Sequence, residues 1–138
     1  MSALDDEIRD LLRFAAERAI LPRYRNLSDH DVEEKAADDF VTIADRETEQ
    51  FLTDALTRLA PDVPVVGEEA AHADPSVLER LSGPCWIIDP LDGTHNFAHG
   101  KPPFGIIVAL ADAGEAVAGW IYDPLSGRFC HTAKGKGA

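Results

Sequence analysis

The apolar periodicity of this chain changes once, near Pro61, and that change limits the fold more than any other feature. Before it, apolar residues recur at three- and four-residue intervals, the spacing of amphipathic helices. Leu4, Ile8, Leu11, Leu12, Ala15, Ala19 and Ile20 mark a helix over residues 3–21, with Ser2 capping it above Asp5 and Asp6, and Pro22 at its end. Residues 25–40 are polar and acidic and read as a mobile loop. A second helix is expected over residues 43–59, with Ala44, Glu47, Phe51, Ala55 and Leu59 on one side and Pro61 closing it. After Pro61 the pattern becomes short strand-like runs at 63–66, 85–88, 104–111, 116–122 and 128–132. Residues 76–81 make a helical turn, and turn sequences fill 112–115 and 123–127. The run 104–111 is apolar on both sides and is expected to be buried. Helices first and strands afterwards predict an α+β fold in layers.

A chain of 138 residues has the size of one domain, and its 45% hydrophobic content is that of a globular protein. The net charge of −12 argues against nucleic-acid and anionic-membrane partners, since both need a basic face. No apolar stretch reaches the ~18 residues of a membrane helix, and the acidic N-terminus has no signal-peptide layout, so a cytoplasmic location is expected. Cys85 and Cys130 sit in apolar surroundings and are read as buried free thiols.

The chemistry concentrates where the run Trp86-Ile87-Ile88 stops in Asp89-Pro90-Leu91-Asp92-Gly93-Thr94. Asp-Pro-x-Asp-Gly is a good turn sequence, and a turn is one reading of it. The other is a cation site. Mg²⁺ takes oxygen ligands, and Asp89, Asp92 and the Leu91 carbonyl offer three on a path stiffened by Pro90. Glu68, at another strand end, closes the site if its strand lies beside 85–88, although Glu68-Glu69 taken alone also reads as a solvated pair. Such cations would reverse the sign of an acidic site and let it hold phosphate. A helix starting after Gly93 would aim backbone N–H groups at the same place. The Thr94 hydroxyl can orient a water there, with Asp45 as acceptor, although Asp45 also reads as a helix cap. Lys35 amid acids reads as a salt-bridge partner. His95 and His99 stand four apart without a third ligand at zinc spacing.

The stretch Trp86-Ile-Ile-Asp-Pro-Leu-Asp-Gly-Thr-His-Asn-Phe-Ala-His99 resembles the signature of the inositol monophosphatase family of magnesium-dependent phosphatases. Lys35, Asp39-Phe-Val-Thr-Ile-Ala-Asp45, Val66-Gly-Glu-Glu69, Gly119-Trp-Ile-Tyr-Asp-Pro124 and Thr132-Ala-Lys-Gly-Lys-Gly-Ala138 agree with it in order. The resemblance implies a layered α/β/α sugar-phosphatase fold, here its N-terminal portion, with two helices on a mainly antiparallel sheet. It implies hydrolysis of a small phosphate monoester, such as an inositol monophosphate or a related sugar or nucleoside phosphate. Glu68, Asp89 and the Leu91 carbonyl would bind a first Mg²⁺, Asp89 and Asp92 would contribute to a second, and Glu68 would also reach a third. Gly93 and Thr94 would hold phosphate, and Thr94 with Asp45 would help activate water. Lys35 would lie in a mobile loop that folds towards the site.

Family members run to about twice this length. Residues 1–138 are therefore expected to form one inositol-monophosphatase-like domain without the family's C-terminal half, including the aspartate that completes the second metal site. The alternative function is a non-catalytic metal- or phosphate-binding module or an inactive fragment. A bare apolar sheet face and a homo-oligomer are expected with either.

Overall fold

The computed structural model describes residues 2–36 and 39–134. Residues 135–138, part of the resemblance above, lie outside the described residues.

Helix α1 spans Ala3–Ala15 and starts on a reciprocal cap. The Ser2 hydroxyl accepts from the Asp5 N–H at 3.1 Å, and the Asp5 carboxylate accepts from the Ser2 N–H at 2.9 Å. Its buried face carries Ile8, Leu12 and Ala15. A π-helical turn over Ala16–Ile20 and a 3₁₀ turn over Leu21–Arg23 extend it. The next segment departs from the expected loop. Strands β1 (Val32–Ala36) and β2 (Asp39–Thr42) pair antiparallel, with Glu33 opposite Val41 and Glu34 opposite Phe40. The charged residues of this hairpin hide the alternation that marks a strand, so its polarity reads as loop.

Helix α2 (Ile43–Leu59) has the expected bounds, set by a second reciprocal cap between Thr42 and Asp45. Its buried face differs from the apolar reading. Ala44, Asp45, Thr48, Glu49, Leu52, Ala55 and Leu56 face inward, while Glu47 turns out to pair with Arg23 at 2.6 Å and Leu59 is exposed. Three polar residues, Asp45, Thr48 and Glu49, occupy the first part of the inner stripe because that end of α2 packs over the site described below.

Five strands follow: β3 (Val65–Gly67), β4 (Cys85–Asp92), β5 (Gly105–Asp112), β6 (Glu115–Tyr122) and β7 (Phe129–Ala133). They form one sheet in sequence order, β3 parallel to β4 and every other pair antiparallel. The parallel step needs a crossover, supplied by α3 (Glu68–Ala73) and a 3₁₀ segment over Pro75–Ser82. Helices α1 and α2 cover one face through Ile8, Leu12, Leu52 and Leu56, against Trp86, Ile88, Ile106, Val108 and Trp120. The Trp120 indole N–H also donates to Asp5 at 2.7 Å. On the other face the described residues form a smaller cluster near the β3 edge, of Val66, Val77, Cys85 and Ala111.

Strand β5 is therefore less buried on its second side than expected: Ala111 is covered there, but Ile107 and Ala109 are partly exposed. Cys85 is buried as expected, but Cys130 is exposed, because β7 turns it to the uncovered face. No helix among the described residues is long and apolar enough to cross a membrane.

Candidate functional site

Two acidic positions converge because β3 and β4 run in the same direction. Gly67 stands opposite Ile88 in the register, so the next residues, Glu68 at the start of α3 and Asp89 within β4, come side by side. Their carboxyls are close neighbours. Burial pushes both above the ordinary carboxylate range, and for Glu68 the adjacent Asp89 carboxyl adds to it. The Asp89 Oδ1 atom is buried and has no hydrogen-bond partner.

Residues 89–92 are not a turn. Strand β4 runs through them, and the pairing with β5 slips by one residue, Asp89 facing Ile107 and Asp92 facing Gly105. That bulge accommodates Pro90, which has no N–H to give the ladder. It leaves Leu91 buried and Asp92 exposed. Gly93 then adopts φ +87°, where a Cβ would lie 2.7 Å from the Pro103 carbonyl oxygen, so glycine is required. Helix α4 (Thr94–Ala98) begins directly after it, as the anion-site reading needs.

Thr94 is the joint between elements. Its Oγ1 lies 2.8 Å from Asp45 Oδ1 and 2.8 Å from the Leu91 carbonyl oxygen, two acceptors for one hydroxyl proton. Asp45 is 1% exposed, and its Oδ2 is held by the Thr42 N–H at 2.8 Å and the Thr42 hydroxyl at 2.7 Å. The carboxylate is thus a cap at one oxygen and a site group at the other. Burial outweighs these hydrogen bonds and lifts its pKa to about 6.

Lys35 lies on β1, with its ammonium 3.3 Å from Glu69 and 3.9 Å from Glu68 and its side chain 7% exposed. His95 and His99 stack at 4.3 Å and pack against Phe40 of β2. They tie α4 to the hairpin.

Glu68, Asp89, Asp45, Thr94, the Leu91 carbonyl and Lys35 are thus brought to one end of the sheet, with Asp92 and Gly93 beside them. Among the described residues no three His, Cys, Asp or Glu side chains already stand as a metal-holding cluster. Glu68 pairs instead with Asp89, and Lys35 supplies the positive charge. The donor chemistry nevertheless fits a hard cation: every candidate atom is an oxygen, and the orphaned Asp89 Oδ1 lacks a partner that a cation would provide. Two neighbours escaped the sequence reading. Thr42 was legible in the Thr-x-x-Asp pattern of a reciprocal cap. Glu49 follows Asp45 by four residues on the same helix face, which was the available signal.

The inositol monophosphatase family model matches residues 4–138. An inositol-1-monophosphatase from Caulobacter vibrioides is 38% identical over 124 residues, covering 89% of this chain and 47% of that protein. One from Bacillus subtilis is 33% identical over 136 residues, covering 98% and 49%. The crystal structure of extragenic suppressor protein suhB from Bartonella henselae superposes with a TM-score of 0.80 at 32% identity, over 99% of this chain and 51% of that one. The chain spans about half the length of these relatives. With its α+β layers and its match over nearly every residue, the chain belongs to the inositol monophosphatase family.

Proposed function

We propose that this chain carries the cation- and phosphate-handling part of a Mg²⁺-dependent phosphatase acting on a small phosphate monoester, an inositol monophosphate or a related sugar or nucleoside phosphate. The observation that carries the reading is the buried Asp45–Thr94 contact of 2.8 Å set beside the Glu68–Asp89 pair. Glu68, Asp89 and the Leu91 carbonyl would hold one Mg²⁺, and Asp89 with Asp92 part of a second. Bound Mg²⁺ supplies positive charge for the phosphate and lowers the pKa of a water.

The protein's own part is a proton path and a cradle. If the Leu91 carbonyl were taken up by a cation, the Thr94 proton would have Asp45 Oδ1 as its remaining acceptor. A water donating to Thr94 Oγ1 would then pass its proton along that line, Thr94 giving its own to Asp45. Thr42 keeps Asp45 Oδ2 occupied, which fixes Oδ1 towards Thr94. The backbone at Gly93 and Thr94 would face the phosphate, and Lys35 would balance charge from the hairpin. A small phosphorylated metabolite as partner and a homo-oligomer as the assembled form belong to the same proposal.

Phosphate release from inositol 1-phosphate, with and without Mg²⁺, tests it against Asp89→Asn. Release should depend on Mg²⁺ and fall at least about 100-fold in the variant, beyond the loss usual for partners outside the ligand shell. Release that persists in the variant would refute the assignment of Asp89. No release from either protein would leave a cation- and phosphate-binding unit without turnover.

A further inference from the structure

Helix α2 carries two buried carboxylates one turn apart, and only Asp45 has a part in the chemistry above. Glu49 is 7% exposed, and each of its oxygens accepts one backbone N–H, from Glu69 at 2.7 Å and from Ala70 at 2.9 Å. These are first-turn donors of α3, the short helix whose first residue is Glu68. Such donors need an acceptor from outside the helix. The residue before α3 is Gly67, which has no side chain to provide one. A Cβ on Gly67 would sit 2.4 Å from the Glu49 carboxyl carbon and within 2.8 Å of both its oxygens. The Gly67 backbone, at φ −96° and ψ 151°, is ordinary extended chain, so its glycine answers to the neighbouring carboxylate rather than to a backbone requirement.

We infer that Glu49 is a positioning residue: its carboxylate, seated in the space left by Gly67, caps α3 and thereby sets Glu68 against Asp89. It rests on the reading of Glu68 as a cation ligand. Charge alone would make little sense of the contact, since a further carboxylate next to Glu68 and Glu69 raises repulsion before a cation arrives. The two N–H contacts offset that repulsion and fix the direction in which α3 leaves β3. In this arrangement α2 acts as a ruler. Asp45 grips the first residue of α4, Glu49 grips the start of α3, and the two short helices carry the two halves of the site.

The test is Mn²⁺ titrated into the full chain and read by water-proton relaxation, for Glu49→Gln, Gly67→Ala, the double variant and Glu68→Gln. Far-UV circular dichroism establishes that each is folded at the temperature used. Glu49→Gln leaves one acceptor and turns an amide towards the other N–H, whereas Gly67→Ala keeps the charge and pushes the carboxylate aside. Each should weaken Mn²⁺ binding about tenfold, the low end for partners behind a ligand. The double variant should be no weaker than the weaker single, because both break one contact. Parental affinity in both singles would overturn the inference and leave Glu49 a purely structural residue. Loss in Glu49→Gln with parental affinity in Gly67→Ala would also overturn it, in favour of a field effect. If Glu49→Gln does not fold, Gly67→Ala decides alone. Unchanged binding in Glu68→Gln would sink the ligand reading itself. Weakened binding in Glu68→Gln with unchanged binding in the other two would sink only the positioning role.

Discussion

The two faces of the five-stranded sheet are built from the same strands and are both apolar, yet they have different physical status. On one, Ile88, Val108 and Trp120 lie under α1 and α2 and are at most 2% exposed. On the other, Ile107, Ile121 and Cys130 stand in register across β5, β6 and β7, and Ile121 is 50% exposed. Neighbouring residues such as Trp120 and Ile121 therefore differ in what they contribute, although alternation along a strand is all that separates them. The difference teaches that apolar character marks a surface suited to burial, and only a partner element turns it into core. The candidate site lies where the covered face, the crossover and the hairpin meet, so its carboxylates are embedded while the far strands remain open.

That contrast can be broken most directly by truncating the two neighbours in β6. Trp120→Ala should cost about 3–5 kcal/mol of unfolding free energy, the usual range for a buried aromatic. Ile121→Ala should stay within about 0.5–1 kcal/mol, as a half-exposed side chain loses little packing. Urea titrations of both variants measure this, and equal losses would mean that the open face is covered in solution. A smaller effect sharpens the covered side. Asp5 accepts from Trp120 and from the Ser2 backbone, and the latter bond is the first cause that lowers its pKa to about 2. A carboxyl depressed in the folded state stabilises above its unfolded pKa, near 3.8, and loses that contribution as pH falls through 2. Asp5→Asn should therefore be less stable than the parent at pH 7 and approach it between pH 4 and pH 2, read by thermal melts at each pH. A penalty unchanged across that window would show that the charge of Asp5 is irrelevant. The smallest effect on folding belongs to Ile121→Lys, which should leave the melting temperature within a few degrees while lowering self-association in sedimentation. Unaltered association would place any contact between copies elsewhere.

Where local chemistry set the structure, the sequence was readable. The cap reading of Asp45 and the stop at Pro61 bound α2, and Ser2 over Asp5 starts α1. The strands β4 to β7 followed from their apolar runs. The hairpin 32–42 was not legible, because its acidic strands pair with each other beside the site instead of lining a core. Helix α3 was missed because it has only six residues and its cap comes from Glu49, twenty positions earlier. The inner face of α2 was misplaced because Asp45, Thr48 and Glu49 are polar and buried together. Of the site, Asp89 to Thr94 could be read as a cluster from their spacing. That Glu68 joins them depended on β3 and β4 being parallel neighbours, which a sequence without a partner strand does not state.

That parallel pairing also bears on the order in which the molecule comes together. A hairpin can zip from its turn, but β3 meets β4 only after the intervening crossover has found its place, and such non-local contacts form late. By that rule Glu68 and Asp89 should meet only after the β5–β6 and β6–β7 hairpins have formed. A chain with net charge −12 gains from that delay. An acidic cluster that closes last would close when the surrounding framework can already hold it.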